Sequence, residues 1–273
     1  MIVYLKGLAA TGPGFENWNA LRNHFSAGTS LNPDFVPRPQ GGILPGVERR
    51  RASVTVKLAV DVAQDALQQS GMKPEDLALV FTSSNGDTNT IHQICEALAT
   101  PERLVSPTRF HNSVHNAPAG YWSIASGSMQ PSSSICAGDD SFATGLVEAA
   151  TQCLAEGVPV LLAAFDTPFP EPLHEKTPGR QPFGAALVLD SIPHGSLAKM
   201  TITVDCGARP ATTQMADPDM EDMRRDSSAS RSLPLLAAFA SVEPQKVVLG
   251  YSGDLRLRIA VEGVAMNQPW ASP

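Results

Sequence analysis

The chain has 273 residues, a formal net charge of −7, 42% hydrophobic residues and 17% charged ones, which is length enough to bury one large core or two small ones. Nucleic acid and anionic membrane surfaces need basic patches, so the acidic balance excludes both as main partners. Arg49-Arg50-Arg51 is the only basic cluster and reads as a solvated loop, and no apolar run is long enough to span a bilayer.

The opening MIVYLKGLAA alternates and then turns at glycine, which predicts a strand over 2–9 rather than a signal peptide with its longer apolar core. A cytoplasmic location is therefore expected. GPGFENWNALRNHF is a loop entering a helix with Trp18, Leu21 and Phe25 on its apolar side, and NPDFVPRPQGGILPG is a surface loop. Apolar spacing at Val56, Leu58, Ala59, Val62, Ala63 and Leu67 predicts a helix closed by Gly71. LALVFTSSNG is a buried strand with a turn, DTNTIHQICEALA a helix capped by Asp87 or Thr88, and NSVHNAPAGYWSIASG a helix interrupted near Pro118.

SSSICAGDDSFATG (132–145) reads as strand, tight turn and helix, an arrangement that displays a nucleophile when the right residue sits at the bend. VPVLLAAFD and FGAALVLDS are apolar strands without strict alternation, as in a sheet covered on both faces. This alternation predicts α/β layers on a mixed, mostly parallel sheet. In the last third, KMTITVD is a strand, 208–230 a polar stretch expected to be a mobile or binding-ordered loop, SLPLLAAFA a short helix, and KVVLGYSG with LRLRIAVEG a closing pair of strands.

Several constellations are weaker. Cys95, Cys136, Cys153 and Cys206 lack a CxxC pair, which gives neither a zinc site nor a disulfide framework. His111 and His115 are spaced as on one helix face, but Asn112 holds the place of a general base and no third ligand is suggested; no metal or other cofactor is expected. TSSNGDTNT (82–90) and GYSGD (250–254) match no nucleotide loop.

The order GLAATGPGFENWNALRNHFSAG, NAPAGYWSIASGSMQP, the strand-turn-helix at 132–145, VPVLLAAF and PFGAALVLD resembles the N-terminal half of β-ketoacyl-acyl-carrier-protein synthases. More narrowly it is similar to the small ketosynthase-like chain length factors of aryl polyene synthesis. The resemblance implies a thiolase-like αβαβα fold with an abbreviated C-terminal half: residues 1–191 as the ketosynthase-like half, and 192–273 completing the same domain. The family's cysteine lies eight positions after a proline, and that count from Pro131 lands on Asp139, with Cys136 three residues too early. A thiolate at a helix start is activated by the dipole and free N–H groups, whereas an aspartate there is a cap and a poor thioester acceptor; Asp139 and Asp140 are read as caps. Downstream only His174 and His194 remain, and neither fits the family's two histidine motifs.

By resemblance the chain is then not an enzyme on its own. It is expected to heterodimerise with an active, full-length ketosynthase, to meet acyl carrier protein through that partner, and to shape its acyl tunnel. The expected gate is Ile91, Ile94, Cys95, Leu98 and Phe110, with a place in the core as the alternative; the expected interface is His111, His115, Gly120, Tyr121 and Trp122. Two rival readings stand beside it: a thioester enzyme using Cys136 with His111 or His115, and a carrier-protein docking or scaffolding subunit.

Overall fold

The computed structural model describes residues 1–175, 181–207 and 209–263. Its strands are β1 (Ile2–Thr11), β2 (Ala78–Thr82), β3 (Ser132–Ile135), β4 (Val160–Asp166), β5 (Phe183–Asp190), β6 (Ala198–Asp205), β7 (Gln245–Tyr251) and β8 (Leu255–Gly263). They form one sheet in the order β3-β2-β4-β5-β1-β6-β8-β7. The helices are α1 (Trp18–Ala27), α2 (Gly46–Arg51), α3 (Val54–Ser70), α4 (Thr88–Ala99), α5 (Pro107–Asn112), α6 (Ala117–Ser126), α7 (Ser141–Glu156), α8 (Pro218–Asp226) and α9 (Leu233–Ala240).

The continuous apolar runs of β2 and β4 are explained by burial on both faces. Ala78, Val80, Leu162 and Ala164 face α7 and α9 in one core, while Leu79, Phe81, Leu161 and Phe165 face α3 and α6 in a second. α7 touches β2 and β4 on one side and β7 on the other, so the sheet curls around it. Close approach there depends on Gly145, where an added Cβ would lie 2.9 Å from the Thr82 side chain and 3.0 Å from that of Leu162. Gly71 closes α3 at φ 67° as its sequence predicts, and at the other end Ser53, a cap the sequence reading did not name, accepts from the Val56 N–H.

The last three strands alternate instead. Met200, Ile202, Val247, Leu249, Leu257, Ile259 and Val261 point into the first core, and the opposite face carries Lys199, Thr203, Lys246, Arg258 and Glu262 towards solvent. On that face Lys199 pairs with Glu262 at 3.1 Å and Arg258 with Asp205. The two sheet edges also differ. β7 is covered by the 209–217 segment, where Thr213 N–H donates to the Val248 carbonyl at 2.8 Å. Among the described residues β3 pairs with β2 alone, which leaves its outer edge open.

Four expectations need correction. The sheet is mixed but not mostly parallel: β2–β3 and β2–β4 are parallel, and the other five pairings are antiparallel. The reason is that β5 enters against both neighbours and the C-terminal strands join through turns and hairpins. The arginine triplet sits on α2 rather than in a loop. Within the polar stretch, Pro218–Asp226 is a packed helix capped by Asp217, whose carboxylate accepts from the Asp219 and Met220 N–H groups. The Glu221–Arg224 fork, with both bonds at 2.7 Å, lets that charged sequence be buried; Ala208 lies outside the described residues, as do residues 264–273 of the expected C-terminal half. Finally, His111 and His115 do not share a helix face, because α5 ends at Asn112 and the Pro118-bearing α6 starts at Ala117.

Candidate functional site

The C-terminal end of β3 leads through Cys136 and Ala137 into a 3-10 turn, Gly138–Asp140, and then α7. Asp139, which the count from Pro131 places where the family's cysteine is expected, is exposed, and its carboxylate accepts from the Arg231 guanidinium at 2.6 Å. Asp140 accepts from the Gly253 N–H at 3.4 Å. Neither carboxylate caps α7, contrary to the sequence reading. The 3-10 turn carries both side chains away from the helix start, and Ser141 closes the elbow: its hydroxyl accepts from the Ala137 N–H at 3.0 Å and donates to the Gly138 carbonyl at 2.6 Å.

Between this elbow and the C-terminal half lies a cavity of only about 20 Å³, bounded by Asp139, Phe142, Arg224, Arg231, Leu249 and Gly250. That is room for about one water molecule. The turn after β3 holds an ion pair, and Arg231, from the segment entering α9, reaches across to form it.

A second polar centre lies beside the elbow, where Ser83 and Ser84 follow β2. The Cys136 thiol donates to the Ser84 carbonyl at 2.9 Å, and His115 Nε2 donates to the Ser83 carbonyl at 3.1 Å. Each side chain is therefore engaged with its own carbonyl, and no hydrogen bond joins Cys136 to His115 or His111 among the described residues. His111 instead stacks edge-on against Tyr121 with ring centroids 5.8 Å apart. The general-base dyad that thiol chemistry needs is not assembled.

Asp166 organises this centre from below. Its buried carboxylate receives four donors: Ser83 hydroxyl at 2.9 Å, Ser84 N–H at 3.0 Å, Ser228 hydroxyl at 2.6 Å and Ala229 N–H at 2.9 Å. Burial pushes its carboxyl up, and these four hydrogen bonds pull it back down. One side chain thus joins the ends of β2 and β4 to the segment entering α9. Sequence reasoning missed Asp166 and Arg231, since an aspartate closing a strand and an arginine beside serines carry no motif.

The expected gate residues lie on α4 and α5. Ile91, Cys95, Leu98 and Phe110 are exposed, with Ile94 half-buried, so the core alternative does not hold for them. Seven of the sixteen large hydrophobic side chains exposed among the described residues fall between Ile91 and Met129, with Phe110 67% and Met129 96% exposed. They lie on α4, α5, α6 and the connections between and after them, where α4 packs against α5 and α6 against β3, and this apolar ridge is of the kind that marks an interaction surface. Of the expected interface residues, His111 and Gly120 are exposed and His115 is half-buried. Tyr121 and Trp122 are corrected: both are turned into the chain's own second core, with the Tyr121 hydroxyl donating to Asn112 at 2.9 Å.

The curled mixed sheet, the central α7 and the strand-turn-helix elbow define a thiolase-like ketosynthase fold. Residues 23–250 match the family described as beta-ketoacyl synthase, N-terminal domain, and the chain belongs to that family. It is similar to a chain of the ketosynthase ApeO in complex with its chain length factor ApeC from Xenorhabdus doucetiae. That match is 27% identical, covers 95% of this chain and 99% of the other, and has a TM-score of 0.70. The ishigamide ketosynthase/chain length factor shares the fold at 14% identity, covering 95% and 98% of the two chains with a TM-score of 0.69. So does AntDE:AntF, a type II polyketide synthase acyl-carrier protein in complex with its ketosynthase bound to the hexaketide, at 12% identity, 96% and 99% coverage and a TM-score of 0.73. No curated protein matches the sequence. No helix among the described residues is long and apolar enough to cross a membrane.

Proposed function

We propose that the chain is a non-catalytic chain length factor that pairs with an active β-ketoacyl-acyl-carrier-protein synthase and limits how far the acyl chain grows, in polyketide synthesis of the aryl polyene type. The observation that carries this reading is the elbow: Asp139, the residue that the count from Pro131 puts at the family's cysteine position, is paired with Arg231, and the cavity beside it is only about 20 Å³. Chemistry must then come from the partner, which also receives the acyl carrier protein. The two-half organisation, 1–191 and 192–273, fits the connection between β5 and β6 that the boundary falls in.

The apolar ridge and the open edge of β3 favour pairing with a second subunit, because both leave groups that a partner would cover. On this reading Ile91, Leu98 and Phe110 project from the ridge into the partner's acyl tunnel, flanked by Ile94 and Cys95, with His111, His115 and Gly120 at the margin. Length is measured sterically: a side chain at the tunnel floor makes each further two-carbon unit overpack the site, at about 1–3 kcal/mol.

The test is co-expression with the ketosynthase, followed by product analysis. The wild type should co-purify one to one, and Phe110→Ala or Leu98→Ala should lengthen the products while leaving the complex intact. Products of unchanged length in both variants would leave a docking or scaffolding subunit. Failure to co-purify would remove the heterodimer itself.

A further inference from the structure

The chain carries a formal net charge of −7, yet α2 and α5 together hold four arginines, Arg49, Arg50, Arg51 and Arg109, against a single carboxylate, Glu48. The fold brings these two short helices together. Asn112, at the end of α5, donates through Nδ2 to the Arg51 carbonyl at the end of α2 at 2.7 Å, and its Oδ1 accepts from the Tyr121 hydroxyl at 2.9 Å. Arg109 lies one turn before Asn112, on the side of α5 that is turned to α2. All four arginines are exposed. In the connection ahead of α5, Glu102 and Arg103 are both exposed and offset each other.

Little of this charge is used within the chain. Arg49 donates through Nε and Nη2 to the Leu44 carbonyl at 3.3 and 3.0 Å, which fixes the side chain but leaves its charge uncompensated. Arg51 stands 3.6 Å from Glu48. The side chains of Arg50 and Arg109 have no hydrogen bond or ion pair among the described residues. Like charges gathered on a small area repel one another, and contact with carboxylates would remove that repulsion.

The patch is continuous with the apolar ridge: Phe110 follows Arg109 on α5, and the exposed Val47 and Val54 flank the arginine triplet. If Phe110 enters the partner subunit, as proposed above, Arg109 is carried against that same partner. A guanidinium pressed onto another subunit without a counter-charge opposes the contact. We propose that α2 and α5 form a basic docking patch that meets a carboxylate-bearing surface of the ketosynthase, and that this match helps decide which ketosynthase the chain accepts. The inference rests on the heterodimer reading and adds to it the chemistry of the partner's surface. Arginine suits the task, since its planar fork takes a carboxylate through two parallel hydrogen bonds.

The experiment is co-expression of a tagged ketosynthase with equal amounts of two competing chains, followed by mass spectrometry of the captured complexes. Arg50→Glu combined with Arg109→Glu should be captured about tenfold less than wild type. The second of these changes should keep α5 folded, because a glutamate three residues after the cap Ser106 completes a capping box. Arg38→Glu combined with Lys246→Glu makes the same change of charge at exposed sites on other elements and should compete equally with wild type. In a second measurement, Arg50→Lys combined with Arg109→Lys is co-purified with the ketosynthase and treated with a carbodiimide, which joins an amine to a carboxylate in contact with it. Cross-links from position 50 or 109 to aspartate or glutamate of the ketosynthase are expected. Equal capture of the Arg50 and Arg109 reversal, an equal loss in the control pair, or no cross-link from either position would overturn the patch. Cross-links to acyl carrier protein alone would overturn it too, with the carrier as the occupant. Failure of the wild type itself to be captured would instead remove the heterodimer, and the patch with it.

Discussion

Replacing Asp166 with alanine should destabilise the chain more than any substitution on the apolar ridge. The carboxylate receives two hydroxyls and two backbone N–H groups from segments that have no covalent proximity. In Asp166→Ala the Ser83 and Ser228 hydroxyls can rotate to new acceptors, but the Ser84 and Ala229 N–H groups cannot move and remain buried. At about 1–3 kcal/mol for each orphaned donor, less the relief of no longer burying a charge, the net loss should be about 2–4 kcal/mol. Asp166→Asn keeps one acceptor oxygen and should lose about half as much. Urea unfolding followed by circular dichroism measures both, with the slope unchanged if the native compactness is kept. Because burial holds the Asp166 carboxyl above its ordinary range, its contribution is fully present below the unfolded value of about 3.9 and is lost as pH rises through the folded value. The gap between wild type and Asp166→Asn should therefore narrow with rising pH. A loss below about 1 kcal/mol for Asp166→Ala, or equal losses for both variants, would refute the four-donor account.

Three further outcomes are expected. In the parallel β2–β3 ladder, Ser133 and Ile135 turn their N–H groups to β2 and Ser134 turns its own outward; Ser134→Pro should leave the chain folded by circular dichroism yet abolish co-purification with a ketosynthase, and retained complex would rule out edge pairing. Hydrogen bonds from Arg224, ahead of those from Met215 N–H and Arg225, hold Glu221 down at about 2. Its stabilisation is present above the unfolded value of about 4.3 and is lost as pH falls from there towards about 2. Glu221→Gln should cost about 1–3 kcal/mol at neutral pH and flatten the acid limb of the stability profile, and an unchanged limb would exclude this group. Asp139→Cys should yield no β-ketoacyl product by mass spectrometry, because the cavity beside the elbow is only about 20 Å³ and neither His174 nor His194 fits the family's two histidine motifs; turnover would show that the elbow is competent.

Local chemistry determined much of this protein before any tertiary contact was considered. The caps of α3 and α4 at Ser53, Gly71 and Asp87 are short-range hydrogen bonds or left-handed turns, and the both-face burial of β2, β4 and β5 follows from their unbroken apolar runs. The strand, turn and helix at 132–145 were also legible, since each follows from short-range sequence. Tertiary structure decided the rest. The antiparallel run of β5 depends on how a connection crosses the sheet, which local periodicity does not encode. Glu221 and Arg224 look like solvent residues until they face each other. Tyr121 and Trp122 belong to the core because α6 turns that side onto α3. Asp166 meets Ser83 across a separation of 83 positions, and Arg231 meets Asp139 across 92. Propensity and spacing act over a few residues, whereas pairings at that range exist only after the sheet has curled around α7 and brought the two halves into contact.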